Sequence, residues 1–194
     1  MAAPRWHSPW TVLVLLALLA VLPTPAQSSV PLQPNFKQQK FLGTWFTVGL
    51  ASNSTWFLEK KEKMTMCKSI VVETEDNALN MTITYFRRTQ CHTWSFLLQR
   101  DGPPGRYRHT SPRWSGTREV SVVETDYERY ALLYTQGSGS EGRDFLMATL
   151  YTRAESPASE ALRKKFTAFT RAQGLTDQSI VFLLKADQCI NDHR

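Results

Sequence analysis

The sequence predicts a mainly β fold of eight strands followed by a single late helix, and three features predict it. Short segments rich in β-branched and aromatic residues recur from position 44 onward. Clusters of Gly, Pro, Asp and Ser separate them. Near the C-terminus the apolar period changes from two to between three and four, which is helical. Eight strands at this spacing make a sandwich or a closed barrel.

The strands fall near residues 44–50, 67–73, 79–88, 91–100, 106–111, 117–125, 129–136 and 144–153. In the third, Leu79, Met81, Ile83 and Tyr85 share one face, while Asn80, Thr82 and Thr84 share the other. Asn80-Met81-Thr82 is an N-glycosylation triplet, and a sugar there requires the Asn80 face to point outward and the Leu79 face inward. Turn signals stand at Asp101-Gly102-Pro103-Pro104-Gly105 and across Gly137 to Gly142. The helix is expected from about Pro157 to Gln173. Ser156 can cap it, Pro157 suits its first position and Gly174 suits its C-terminal cap. Leu162, Phe166 and Phe169 form one apolar stripe, so the helix packs on the outside of the β structure. A short strand, Ile180 to Leu184, follows.

The chain has 194 residues, which favours one domain. Arg5 and His7 precede an apolar run, Val12 to Leu22, too short to cross a bilayer, and small residues follow around Ala26 and Ser28. Residues 1–26 therefore read as a signal peptide and residues 27–194 as the mature domain, secreted through the endoplasmic reticulum and Golgi. The net charge of +6 is spread over short clusters such as Lys60-Lys61, Arg87-Arg88 and Arg163-Lys164-Lys165, which argues against a nucleic-acid partner. Cys67, Cys91 and Cys189 allow three pairings in an oxidising compartment, each leaving one thiol over. Asn53-Ser54-Thr55 is a second glycosylation triplet.

Three short motifs occur in order: Gly43-Thr44-Trp45, Thr125-Asp126-Tyr127, and Arg153 at the end of the eighth strand. Together they resemble the signature regions of the lipocalins, and the resemblance covers essentially the whole mature chain. It implies an eight-stranded antiparallel up-and-down barrel with one C-terminal flanking α-helix. One end is plugged by Arg153 packed over Trp45, and the other is open to a ligand. An arginine above an indole face closes a barrel floor by cation–π attraction. Eight strands leave room for one small ligand. Longer segments resemble the prostaglandin-isomerising branch of that family: Phe41-Leu42-Gly43, Gly49-Leu50-Ala51-Ser52-Asn53-Ser54, Met66-Cys67-Lys68-Ser69, Ser121 through Tyr127, and Met147-Ala148-Thr149-Leu150-Tyr151.

That resemblance implies an enzyme that isomerises prostaglandin H2 to prostaglandin D2 with Cys67 as nucleophile. It also implies a Cys91–Cys189 disulfide and sugars on Asn53 and Asn80. Residues two apart in a strand share a face, so Cys67 and Ser69 point together and Lys68 points away. The Ser69 hydroxyl is then expected to donate to the thiolate, with Thr47 as a second supporting hydroxyl. Trp56 and Trp114 near the mouth, Tyr151, Tyr85 and Phe96 are the implied ligand contacts. Ile83 shares that wall but departs from the pattern, since related synthases commonly carry serine there. The implied ligands are prostaglandin H2, retinoids and bile pigments. No bound cofactor or metal is expected, a free thiol such as glutathione supports turnover, and the protein is a monomer with peripheral membrane contact.

The competing class is a non-catalytic carrier of small hydrophobic molecules. A carrier does not need Cys67, and a lone buried cysteine is usually an inert small hydrophobe. Gly137 to Gly142 fits Gly-x-Gly-x-x-Gly, but strands are expected on both sides, so it reads as a hairpin loop and not as a nucleotide site. His7, His92, His109 and His193 show no metal-ligand spacing.

Overall fold

The computed structural model describes residues 30–111, 116–138, 144–185 and 189–190, and the expected signal peptide lies outside the described residues. A short helix, α1 (Gln38–Phe41), leads into β1 (Gly43–Ser52). Helix α2 (Thr55–Lys60) and a 3-10 turn (Lys61–Lys63) connect it to β2 (Cys67–Glu73). Then come β3 (Leu79–Arg87), β4 (Gln90–Arg100), β5 (Arg106–Ser111), β6 (Gly116–Thr125), β7 (Tyr130–Ser138) and β8 (Asp144–Thr152). Helix α3 (Glu160–Ala172), a 3-10 turn (Asp177–Ser179) and β9 (Ile180–Phe182) complete the described chain.

The strands pair antiparallel in the order β2 to β8, then β1, and β1 pairs again with β2, so the sheet closes into a barrel. Closure satisfies the backbone groups that an open edge would expose. Gly43 to Thr47 of β1 pair with β2, and β9 takes over the same edge from Gly49 to Ala51. Alternation sorts the side chains into two cores. Trp45, Val71, Leu79, Met81 and Leu98 fill the inside. Val48, Leu132, Tyr134, Ala148 and Leu150 form a second core on the outer surface, beneath α3.

Helix α3 docks as its stripe requires. Phe166 is fully buried, with Leu162 and Phe169 packed beside it. Phe166 meets Phe182 edge-on at 5.8 Å, and Phe169 meets Tyr134 at 5.9 Å. The helix begins three residues later than the sequence reading placed it. Ser159, not Ser156, is the cap, its Oγ accepting from the Leu162 N–H at 3.4 Å. That start puts Glu160 in the first turn, where a carboxylate meets the positive end of the helix dipole. Gly174 ends the helix at φ +80°, and Leu175 N–H reaches back to the Thr170 carbonyl at 3.0 Å. The last strand stops at Phe182, two residues short of expectation.

The register also orients the barrel. The α2 connection, the β3–β4 hairpin and the β7–β8 connection lie at the end away from Trp45, while the β2–β3 and β4–β5 turns lie at the Trp45 end. The Gly137-to-Gly142 segment joins β7 to the antiparallel β8, with Ser138 opposite Asp144 and no helix after it; its residues 139–142 lie outside the described residues.

Candidate functional site

The floor is built from the three signature segments. Trp45 is fully buried, and its indole N–H donates to the Phe41 carbonyl at 2.8 Å. The Arg153 guanidinium carbon lies 3.6 Å from the Trp45 ring centroid. Its nitrogens donate to the carbonyls of Tyr127, Thr44, Lys40 and Leu42 at 2.7–3.0 Å. One side chain therefore ties the α1–β1 entry, the β6–β7 turn and the end of β8 together.

Above the floor the lumen widens. On β3 and β4 the inward residues nearest the floor, Leu79, Met81 and Leu98, are buried. Ile83, Tyr85 and Phe96 are half-buried, and Trp94 is 42% exposed. This gradient describes a cup that opens toward solvent. Its wall is aromatic, with Trp94 stacked on Phe96 at 4.6 Å and Tyr85 stacked on His92 at 5.7 Å.

Cys67 opens β2 and pairs with Thr47 of β1, which pairs in turn with Tyr151 of β8. Ser69, two residues on, pairs with Trp45 on one side and Ile83 on the other. Thr47, Cys67, Ser69 and Tyr151 thus form one polar patch on the inner wall, just above the floor. Lys68 pairs with Phe46, a residue of the outer core, so it points away from the lumen.

The patch holds protons tightly. Burial pushes the Cys67 thiol up from 9.0 to about 11. Burial also pushes the Tyr151 hydroxyl well above its ordinary value; the nearby Cys67 adds to that rise, and the Ser69 and Thr47 hydroxyls oppose it. The expected Ser69–thiol hydrogen bond is not made. The Cys67 Sγ lies 3.4 Å from the Thr65 carbonyl instead, and Ser69 Oγ is buried with no partner at hydrogen-bond geometry. The inward neighbour opposite Ser69 is the hydrocarbon Ile83, which offers it nothing to bond.

Of the other expected contacts, Tyr85, Phe96, Ile83 and Tyr151 share the inner wall, whereas Trp114 lies outside the described residues. Trp56 sits on α2 with 60% of its surface exposed, and its neighbour Phe57 is the buried ring. Sequence reading passed over Phe57; the Ser54 cap, which accepts from Phe57 N–H, is the local signal that sets that turn. Asn80 lies on the outer face between Val72 and Leu97. Asn53 is exposed, and its side-chain amide bridges the Asp144 carbonyl and the Leu146 N–H. Cys91 and Cys189 form a disulfide that joins β4 to the C-terminal tail, leaving Cys67 as a free thiol. Among the described residues no group of three or more His, Cys, Asp or Glu side chains is arranged to hold a metal ion.

Comparison with known proteins agrees with this architecture. The model of the lipocalin / cytosolic fatty-acid binding protein family matches residues 42–187. Prostaglandin-H2 D-isomerase of Bos taurus is 55% identical over 184 residues, covering 95% of this chain and 96% of its own. The enzyme of the same name from Sus scrofa is 53% identical, and the match covers both chains in full. Among solved structures, the siderocalin Ex-FABP, described as functioning through dual ligand specificities, superposes with a TM-score of 0.66 at 25% identity, covering 77% of this chain and 97% of that one.

Proposed function

Since the chain belongs to the lipocalin / cytosolic fatty-acid binding protein family, we propose that it is a secreted prostaglandin-H2 D-isomerase whose barrel also carries small lipophilic ligands such as retinoids and bile pigments. One observation carries the reading. The single free thiol faces the lumen within a patch of three hydroxyls, in a chain about half identical to enzymes of that name over nearly its whole length.

The chemistry needs only those groups. The Cys67 sulfur attacks one oxygen of the endoperoxide, the O–O bond breaks, and the thiol's proton ends on the released oxygen as a hydroxyl. A ring C–H proton then passes to water at the solvent-open end of the lumen. Its electron pair forms the ketone and expels the sulfur as thiolate, which takes up a proton again. Nothing is oxidised or reduced overall, so the step uses no cofactor. A free thiol such as glutathione in the surroundings keeps Cys67 reduced. Because burial favours the neutral thiol, the hydroxyls of Thr47, Ser69 and Tyr151 supply the donors that a sulfur anion requires during the attack.

Secretion through the endoplasmic reticulum and Golgi is supported by the Cys91–Cys189 bridge, which belongs to an oxidising compartment. The outward Asn80 and the exposed Asn53 are positions where sugars can be attached without entering the lumen.

A carrier without catalysis is favoured by one observation, the half-buried thiol with no base hydrogen-bonded to it among the described residues. Prostaglandin D2 formation from prostaglandin H2 by wild type and Cys67→Ala, with retinoid binding measured in parallel, separates the two. Product above the uncatalysed background in wild type alone supports the enzyme. Background turnover in both, with binding intact, leaves the carrier.

A further inference from the structure

We propose that Arg118, with His109 beside it, anchors the carboxylate of an elongated lipophilic acid in the lumen, on the wall opposite Cys67. The inference rests on the barrel being a ligand site. Arg118 and His109 are direct partners across β5 and β6. Tyr107 and Val120, two residues away on the same strands, belong to the inner core, so both polar side chains rise from the inner wall.

The path of Arg118 is built into the fold. Its Cγ lies 3.0 Å from the place where a Cβ would stand on Gly137, and its guanidinium carbon lies 3.6 Å from the Phe145 ring centroid. The missing side chain at Gly137 lets the arginine cross β7 and lie flat on a ring of β8. Stacking uses the face of the guanidinium. A fork of five N–H donors can serve a ligand in addition to contacts it already makes. Burial lowers the Arg118 pKa, yet arginine stays charged throughout the physiological range.

His109 supplies the second observation. Its Nδ1 lies 3.1 Å from the Leu97 carbonyl, and a carbonyl only accepts, so Nδ1 carries the hydrogen. Nε2 is buried and has no partner. It stands in a wall otherwise made of rings, with Phe96 at 4.9 Å and Trp94 at 6.2 Å. A buried polar atom left unpaired costs stability unless a ligand satisfies it. With its hydrogen on Nδ1, the ring presents Nε2 as an acceptor, placed to take a hydrogen from a ligand hydroxyl or from a water that bridges to the carboxylate beside the arginine fork.

The position assigns the ligand's orientation. Around the closed ring β6 is four strands from β2 in either direction, so Arg118 and Cys67 stand on opposite walls. Both lie above the Trp45 floor, Cys67 one inward position beyond Ser69 on β2 and Arg118 one inward position beyond Val120 on β6. An acid held by its carboxylate at Arg118 spans the lumen and lays its chain against Cys67. A neutral analogue gains only the apolar contacts.

The test titrates the full mature chain with a polyunsaturated fatty acid and with its methyl ester, read by quenching of tryptophan fluorescence. Wild type is expected to favour the acid. Arg118→Gln should weaken the acid by roughly ten- to a hundredfold and leave the ester unchanged. Arg118→Lys, which keeps the charge, should recover part of the loss. Equal binding of acid and ester by wild type, or an acid affinity untouched in Arg118→Gln, overturns the anchor while the barrel remains a ligand site. A wild-type chain that binds neither probe overturns the ligand-site reading, and the anchor falls with it.

Discussion

The guanidinium of Arg153 lies 3.6 Å above the Trp45 ring and bonds four backbone carbonyls around it. Those carbonyls lie up to 113 residues from Arg153 in the chain, so the pair closes the barrel as well as plugging it. Trp45→Ala removes a fully buried indole and should cost about 3–5 kcal/mol of stability. Arg153→Lys keeps the charge but loses the planar fork, and the carbonyls it abandons should cost about 1–3 kcal/mol. Thermal or denaturant unfolding checks both. A wild-type midpoint in either variant would remove that residue from the floor.

Much of this was legible in the sequence because a closed antiparallel barrel buries one face of each strand, and period-two alternation reports that directly. Leu79, Met81, Ile83 and Tyr85 could be placed inside from their spacing together with the glycosylation triplet on the opposite face. Other features depend on register. Arg118 reads as a surface charge until its pairing with His109 and Gly137 is known. A bulge between Val122 and Glu124 resets the alternation two turns of the pleat later, with Val122 in the inner core and Val123 in the outer. Helix α2, six residues long, is too short to show a period. Whether the Ser69 hydroxyl meets the thiol was a question of side-chain rotation, which shared strand face does not answer.

The disulfide ties residues 98 apart, with Cα atoms 5.5 Å from each other. Cys189 is followed by Ile190, which is buried in the outer core, so the bridge holds a packed tail and not a loose one. Replacing Cys91 and Cys189 together with serine should cost about 2–5 kcal/mol. Non-reducing peptide mapping of the wild type should recover Cys67 unlinked; Cys67 joined to either partner would contradict the pairing.

The Cys67 thiol should react slowly at neutral pH. With its pKa pushed up to about 11, roughly one molecule in ten thousand carries the thiolate at pH 7. The anion is the reactive form and burial disfavours it, so reactivity must rise with pH. Alkylation by iodoacetamide should therefore accelerate about tenfold per pH unit up to pH 10, above the point where an ordinary thiol levels off. Intact-mass measurement over a pH series reads this out. A plateau reached by pH 8 would mean that the patch stabilises the thiolate in the resting protein.

Ile83 and Ser69 face each other across β2 and β3, and the buried Ser69 hydroxyl, near that of Tyr151, has no partner at full hydrogen-bond geometry. A serine in place of Ile83 would put a hydroxyl next to the Ser69 oxygen. Ile83→Ser is expected to raise isomerase turnover by giving Ser69 a hydrogen-bond partner that holds its own hydrogen toward the sulfur. The gain should appear in kcat more than in KM, because the donor matters most when negative charge reaches the sulfur. Stability pulls both ways. Loss of a half-buried isoleucine destabilises, while pairing a buried hydroxyl restores about 1 kcal/mol. The double variant Ile83→Ser with Ser69→Ala decides the mechanism. If the serine works through Ser69, the second substitution cancels the gain; if it works by widening the lumen, the gain survives. Ser69→Ala alone should slow the wild type without abolishing turnover, whereas Cys67→Ala should abolish it and leave retinoid binding within about twofold, since a dry apolar cavity is what carriage requires. Full activity in Cys67→Ala would make the cysteine a packing residue and the hydroxyl patch incidental.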